Sequence, residues 1–333
     1  MSLLIRRLPA RAGLSALLAL LAVCLATPPA AVPQAPPGKQ EPGRIRVGVD
    51  LVNMFATVRD GKKKLVADLT QEDFHIFEDG QEQKLEYFTR ETTLPITLGI
   101  LIDTSISVEG ILGAEKEAAS RFLERVMRKG DLAFVISFDV DVDLLSDFTE
   151  DQGRLERAID SARINAPGTV INPGPFPTQR RGTRLYDAIY LGAGEKLARE
   201  FGRKALVILT DADDYGSQLR LEDALEAAQR TDTVVHIILL YDPNFYHGFG
   251  GSPGGGVARK IAEETGGRMI EVRDEKKLQE AFDQISEELR SQYTLGYYPA
   301  NKDRDGQFRK IKIETTRKGL KVLARKGYYA PKN

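Results

Sequence analysis

Five oxygen-bearing side chains stand where a folded chain could gather them. Asp103, Ser105 and Ser107 lie in Asp103-Thr-Ser-Ile-Ser107, which closes the apolar run TLGILID (97–103) and precedes a helical pattern. One carboxylate and two hydroxyls at i, i+2 and i+4 can face one side as the chain turns. Thr183 opens a second helical pattern in Gly-Thr-Arg-Leu-Tyr-Asp-Ala-Ile (182–189), and Asp211 closes the run ALVILTD (205–211). The set holds two carboxylates and three hydroxyls, with no nitrogen or sulfur donor. Hard oxygen donors of low total charge suit Mg²⁺, with Mn²⁺ or Ca²⁺ as alternatives, rather than Zn²⁺. Such a site leaves coordination positions for water or for an incoming ligand. The competing reading is that Ser105 and Ser107 cap the helix and Asp103 accepts from loop amides.

The elements that must position these residues can be read from hydrophobic patterning. Runs at 97–103, 132–138, 205–211 and 233–241 are continuously apolar, as parallel strands covered on both faces are. Between them lie amphipathic helical stretches. Ala118, Phe122 and Val126 share one face, and Leu278, Phe282, Ile285 and Leu289 share another. Strand and helix in alternation predict a doubly wound α/β sheet, whose functional groups sit at the carboxyl ends of the strands. DVDLLSDF (141–148) follows the second run too closely for a crossover, which needs a dozen or more residues. It is expected to be an antiparallel edge strand.

The flanks read as β structure. Residues 45–92 contain an Asp60-Gly61 turn, a capping-box pattern at Thr70–Asp73 and an Asp79-Gly80 hairpin signal. Residues 292–331 carry QYTLGYY, the alternating FRKIKIETT, and LKVLARKGYY after a turn at Gly319. Neither arm has enough strands to bury its own apolar face. Residues 45–92 and 291–331 are therefore expected to form one split β-sandwich, with the α/β domain (95–290) inserted between them.

The ordered set Asp103-x-Ser105-x-Ser107, Thr183, Asp211 resembles the metal-ion-dependent adhesion site of von Willebrand factor A domains, without departure in residue type. The flanking segments resemble those of a bacterial, acidobacterial-type VWFA-related family, so that the likeness spans about residues 45–331. The resemblance implies a six-stranded sheet of order 3-2-1-4-5-6 with its third strand antiparallel at the edge. It implies that the first Asp often acts through water, that the Ser and Thr hydroxyls coordinate directly, and that an acidic residue of a partner protein completes the metal shell.

Topology suggests a rim for this site. The loop DPNFYHGFGGSPGGG (242–256) leaves the carboxyl end of a strand and brings Phe245 and His247 to the same face; Asp213 and Tyr215 follow Asp211. Arg184, with Arg180 and Arg181 in the insert before Thr183, could steer an acidic partner or simply be solvated. The glycines of 248–256 do not make a dinucleotide fingerprint, because they lack the tight turn in the first βα unit and are interrupted by Pro253. Asp139, Asp141 and Asp143 alternate through the hairpin, as a charge-defended edge or a second cation site. Asp213 and Asp214 either tune the site or end the strand. His236, in mid-strand, reads as a satisfied core histidine.

Composition excludes several functions. The 333 residues are 42% hydrophobic and 29% charged with a formal net charge of −1, so nothing favours nucleic acid. Residues 1–31 read as a secretory signal: Arg6, Arg7 and Arg11, a short apolar run, then small residues. A Pro-rich linker (32–44) follows. A lipid-modified Cys24 and an uncleaved membrane anchor are the alternatives. Export without the signal would remove the single cysteine and three arginines, leaving a net charge of about −4 and no thiol chemistry. With three histidines, a Ser-His-Asp triad or a His-based zinc site lacks parts. The expectation is a non-enzymatic, exported module that binds protein through a metal. A structural metal protein and a metal-dependent hydrolase are the other readings.

Overall fold

The computed structural model describes residues 51–91, 94–164, 182–240 and 254–332. The signal-like segment, the Pro-rich linker, Arg180, Arg181, Phe245 and His247 lie outside the described residues. Before the central domain come β1 (Val52–Arg59), β2 (Phe74–Glu78), β3 (Gln81–Gln83) and β4 (Leu85–Glu91). The central domain supplies β5 (Ile96–Asp103), β6 (Leu132–Phe138), β7 (Val142–Thr149), β8 (Arg203–Thr210), β9 (Thr233–Leu240) and β10 (Met269–Val272). Its helices are α1 (Leu112–Val126), α2 (Gln152–Ser161), α3 (Leu185–Ile189), α4 (Leu221–Arg230), α5 (Gly255–Thr265) and α6 (Glu275–Leu289). The chain finishes with β11 (Gln292–Tyr297), β12 (Phe308–Thr315), β13 (Lys321–Leu323) and β14 (Gly327–Tyr329).

The central sheet runs β10-β9-β8-β5-β6-β7, parallel except for β7, which pairs antiparallel with β6. Counted within the domain, this is the order 3-2-1-4-5-6. Every residue of β5 is buried, as a strand with parallel neighbours on both sides and helices on both faces requires. One apolar layer packs Ile100, Ile102 and Val207 against Phe122 of α1 and Phe282 of α6. The other packs Leu101, Phe134 and Ile208 against Leu185, Ala224 and Ile261. Gly99 permits this density: a Cβ there would lie 2.4 Å from the Phe134 ring and 2.5 Å from Leu206.

Two four-stranded sheets, β13-β1-β11-β4 and β14-β12-β2-β3, each combine strands from before and after the central domain. Their shared core contains Met54, Ile76, Tyr293, Leu295, Tyr297 and Ile311. Buried tyrosine hydroxyls need partners; Tyr297 and Tyr328 donate to Glu78 Oε2 at 2.6 and 3.1 Å, and Tyr293 donates to the Val66 carbonyl at 3.0 Å. The Asp79-Gly80 turn has positive φ at both residues (48° and 84°), as a two-residue type I′ hairpin demands. LKVLARKGYY is not one strand. It divides into β13 and β14, which belong to different sheets, and the intervening Arg325 donates to the Asn53 carbonyl at 2.9 Å and pairs with Asp232.

A buried ionic seam ties the β1 arm to the central domain. Glu288 of α6 accepts from Arg59 Nε at 2.8 Å and pairs with Arg59 Nη2 at 2.6 Å and Arg268 Nη1 at 3.2 Å. His236 is buried beside it, but not satisfied: Nδ1 is 3.7 Å from Glu288 Oε2, and neither ring nitrogen has a hydrogen-bond partner among the described residues. Burial, then the positive field of Arg268 and Arg59, pushes this imidazole down to about 3, so the ring is neutral.

Candidate metal centre

Asp103 is the last residue of β5 and is fully buried. Its Oδ1 accepts the Ser105 N–H at 2.9 Å, and its Oδ2 accepts the Thr210 hydroxyl at 2.6 Å. The first bond holds the turn after β5; the second crosses to the end of β8, the adjacent parallel strand. Ser105 is extended (φ −71°, ψ 159°) before a 3₁₀ turn, Ile106–Val108, and its side chain makes no cap. Instead, the Ser105 and Ser107 hydroxyls lie 3.0 Å apart and bond each other. Thus Asp103 does satisfy a loop amide, but the Ser105 hydroxyl does not serve the helix end.

Asp211 follows β8 and is buried, with Oδ1 accepting the Asp213 N–H at 3.1 Å. The next residue, Ala212, is held in the left-handed region at φ 59°, and its N–H is bonded to Thr210 Oγ1 at 2.9 Å. A non-glycine residue there stores strain of order 1 kcal/mol or more, and such strain clusters at functional sites. Gly254 packs on it so tightly that a Cβ would meet the Ala212 carbonyl at 2.1 Å. Gly254, just before α5, therefore abuts the Asp211 turn.

Thr183 is stitched to the strand-end segment after Asp211. Its N–H donates to the Tyr215 carbonyl at 2.9 Å, and Tyr215 N–H returns to its carbonyl at 3.0 Å. On the other side, Arg184 N–H donates to the Asp139 carbonyl at 2.9 Å, while Asp139 Oδ2 accepts the Thr104 hydroxyl at 2.8 Å. Segments 103–107, 182–184 and 210–215 are thus linked by hydrogen bonds at one lip of the sheet. Asp139 is buried and bonded in this network, unlike the exposed Asp141 and Asp143, so the three do not alternate as one solvated edge.

The rim residues divide. Tyr215 is 70% exposed. Asp213 is exposed, and its carboxyl is held above the usual range by partial desolvation, then by Asp211 and Asp214. Asp214 serves structure, accepting from Ser217 Oγ at 2.6 Å and Tyr186 N–H at 3.2 Å. Arg184 is partly buried, and its Nε pairs with Asp187 Oδ2 at 2.8 Å.

The electrostatics of the lip are one-sided. Burial, then repulsion from Asp211, pushes the Asp103 carboxyl up to about 7, despite the hydrogen bonds from Ser105 and Thr210. Glu115 of α1, which the motif reading overlooked, is also fully buried and held well above the usual range by burial, then by Asp103 and Asp211. Burial and the neighbouring carboxylates are the largest raising contributions to all three shifts. Glu115 falls on the same face as Ala119, Phe122 and Val126, so a carboxylate at an apolar helical position was the available signal. Among the described residues no group of three or more His, Cys, Asp or Glu gathers closely enough to cage an ion unaided. Any cation here would depend on the hydroxyls as well.

The sheet order with one antiparallel edge strand makes the central domain von Willebrand factor A-like. No family model matches the sequence, and no curated protein matches it. Among solved structures the chain is similar to BatB from Bacteroides thetaiotaomicron, at 18% identity over 59% of this chain and 100% of that one, with a TM-score of 0.44. It is similar to a von Willebrand factor type A protein from Catenulispora acidiphila at 13% identity, over 84% and 73% of the two chains, with a TM-score of 0.47. It is also similar to proximal thread matrix protein 1 of the mussel byssus, crystallised with a zinc-occupied MIDAS motif, at 14% identity over 64% and 49%, with a TM-score of 0.48.

Proposed function

We propose that this chain is an exported, non-enzymatic module that binds a partner protein through a divalent cation, held by Asp103, Ser105, Ser107, Thr183 and Asp211. The carrying observation is the convergence of two buried carboxylates, Asp103 at the end of β5 and Asp211 just after the adjacent parallel β8, with the Asp103 carboxyl raised by burial and then by Asp211. Buried carboxylates in proteins are paired or coordinate metals. The donor set fits a hard cation: carboxylate oxygens with a hydroxyl pair 3.0 Å apart, for which Mg²⁺ is the first choice and Mn²⁺ or Ca²⁺ the alternatives. A bound cation would offer a coordination position to an Asp or Glu of the partner. The protein's own residues do the rest. Asp103 fixes the Ser105 turn, Thr210 orients Asp103, and the strained Ala212 turn presents Asp211. Exposed Tyr215 and Asp213 supply rim contacts.

The placement of the described histidines supports a binding module rather than a hydrolase. The described histidines sit elsewhere: His75 pairs with Glu82 in the sandwich, and His236 lies in the ionic seam. Export rests on residues 1–31; among the described residues no helix is long and apolar enough to cross a membrane.

Titration calorimetry with Mg²⁺ and Mn²⁺ tests this reading. Wild type should bind one ion, and Asp103→Ala and Asp211→Ala should each lose at least about 100-fold in affinity while keeping the wild-type circular dichroism. Capture of an acidic-motif partner should then require the ion. A wild type that binds no cation, or an Asp103→Ala that binds as well, sinks the proposal. Loss of fold in both variants would assign these residues a structural role instead.

A further inference from the structure

We infer that Glu115 is a third, buried carboxylate of this centre, acting on a bound cation at one remove rather than as a ligand. The inference rests on the metal reading above and deepens it. Glu115 lies on α1, the helix that follows the Asp103–Ser107 turn, on the face that also carries Ala119, Phe122 and Val126. It is completely buried, yet neither Oε1 nor Oε2 has a hydrogen-bond partner among the described residues. A side chain retained only for packing would be apolar at this position, since its neighbours along the helix face are alanine, phenylalanine and valine. Both charged groups that act on it are candidate metal ligands, Asp103 and Asp211. Among the described residues the three carboxylates do not gather into a metal cage, and Glu115 is assigned an outer role accordingly. With no hydrogen bond to a ligand among the described residues, Glu115 acts by raising the local negative potential, and loss of an outer group typically weakens metal affinity about 10- to 100-fold.

The role predicts an effect that scales with the charge on the ion, which a packing role does not. Mg²⁺ binding by calorimetry and Tb³⁺ binding by luminescence are compared for wild type, Glu115→Gln, Glu115→Met and Asp103→Ala, with thermal melts in chelator. Glu115→Gln should weaken Mg²⁺ about 10-fold or more, and Tb³⁺ by a larger factor. Glu115→Met should do the same while melting higher than wild type in chelator, because an unpartnered buried carboxyl has been replaced by an apolar side chain of similar length. Unchanged affinity in both variants, or equal losses for the two ions, overturns the inference and leaves the metal reading standing. A wild type that binds neither ion overturns both. Asp103→Ala marks the zero of the assay, and agreement of the Gln and Met variants guards against a folding artefact in either.

Discussion

Glu288 and Asp103 are buried to the same extent, and the protein treats them in opposite ways. Glu288, in the seam between the sandwich and α6, is raised by burial but opposed by Arg59 and Arg268, which touch it. Asp103, at the carboxyl lip of the sheet, is raised by burial and raised further by Asp211, with only neutral donors to relieve it. One cluster carries its own cations; the other brings carboxylates and hydroxyls together. Since desolvation penalises both alike, the difference separates a carboxylate held by guanidinium partners from one whose relief comes from the neutral donors Ser105 and Thr210 while Asp211 opposes it.

The largest effect should come from breaking the guanidinium-paired cluster. Glu288→Ala strands Arg59 in a buried position and should cost about 3–5 kcal/mol in equilibrium denaturation, by the same amount with or without divalent cation. A loss below about 1 kcal/mol, or one rescued by Mg²⁺, would erase the contrast.

Next in size is the pH response of the lip cluster. Asp103 titrates near 7 when folded against about 3.8 when unfolded, so between these values the native state holds a proton that the unfolded state has lost. In chelator, stability is therefore greatest below about pH 4 and falls as pH rises toward 7. The drop should be a few kcal/mol, or roughly 5–10 °C in Tm between pH 5 and pH 8. Asp103→Asn should flatten it, and saturating Mg²⁺ should reverse it at pH 8. An equal decline with and without the ion would show that the lip is already compensated.

The smallest effect sharpens the boundary between lip and scaffold. Arg184→Ala removes a partly buried pair with Asp187 and should change stability by no more than about 1 kcal/mol, with Mg²⁺ affinity unchanged. A tenfold change in that affinity would move Arg184 into the centre.

Much of the fold was legible because each strand of the central sheet imposes its own requirement. Continuous apolar runs mark β5, β6, β8 and β9, and the short span before Val142–Thr149 leaves no room for a crossover. The break of LKVLARKGYY into β13 and β14 was not legible, because only tertiary contacts of Arg325 interrupt an otherwise strand-like pattern. At the lip, the residue types and order of Asp103, Ser105, Ser107, Thr183 and Asp211 stood out. Thr210, which orients Asp103, was hidden inside an apolar run, and Glu115 was hidden inside the charge-rich GAEKEAASRFLER, where one buried glutamate looks like its solvated neighbours. The burial of Asp139 depends on its bond to Thr104, 35 residues away, which local alternation cannot reveal.

The pairing of β4 with β11 sets Glu91 opposite Gln292 on one antiparallel ladder. Directly opposed residues lie about 4.5–5.5 Å apart, so the whole α/β domain leaves and rejoins the sandwich at a gap that a two-residue turn could bridge. In geometric terms, 200 residues occupy the place of a hairpin tip. Excision of that tip would join β4 to β11 as an ordinary hairpin, and would also remove Glu288 and Asp232, the partners of Arg59 and Arg325 in the sandwich.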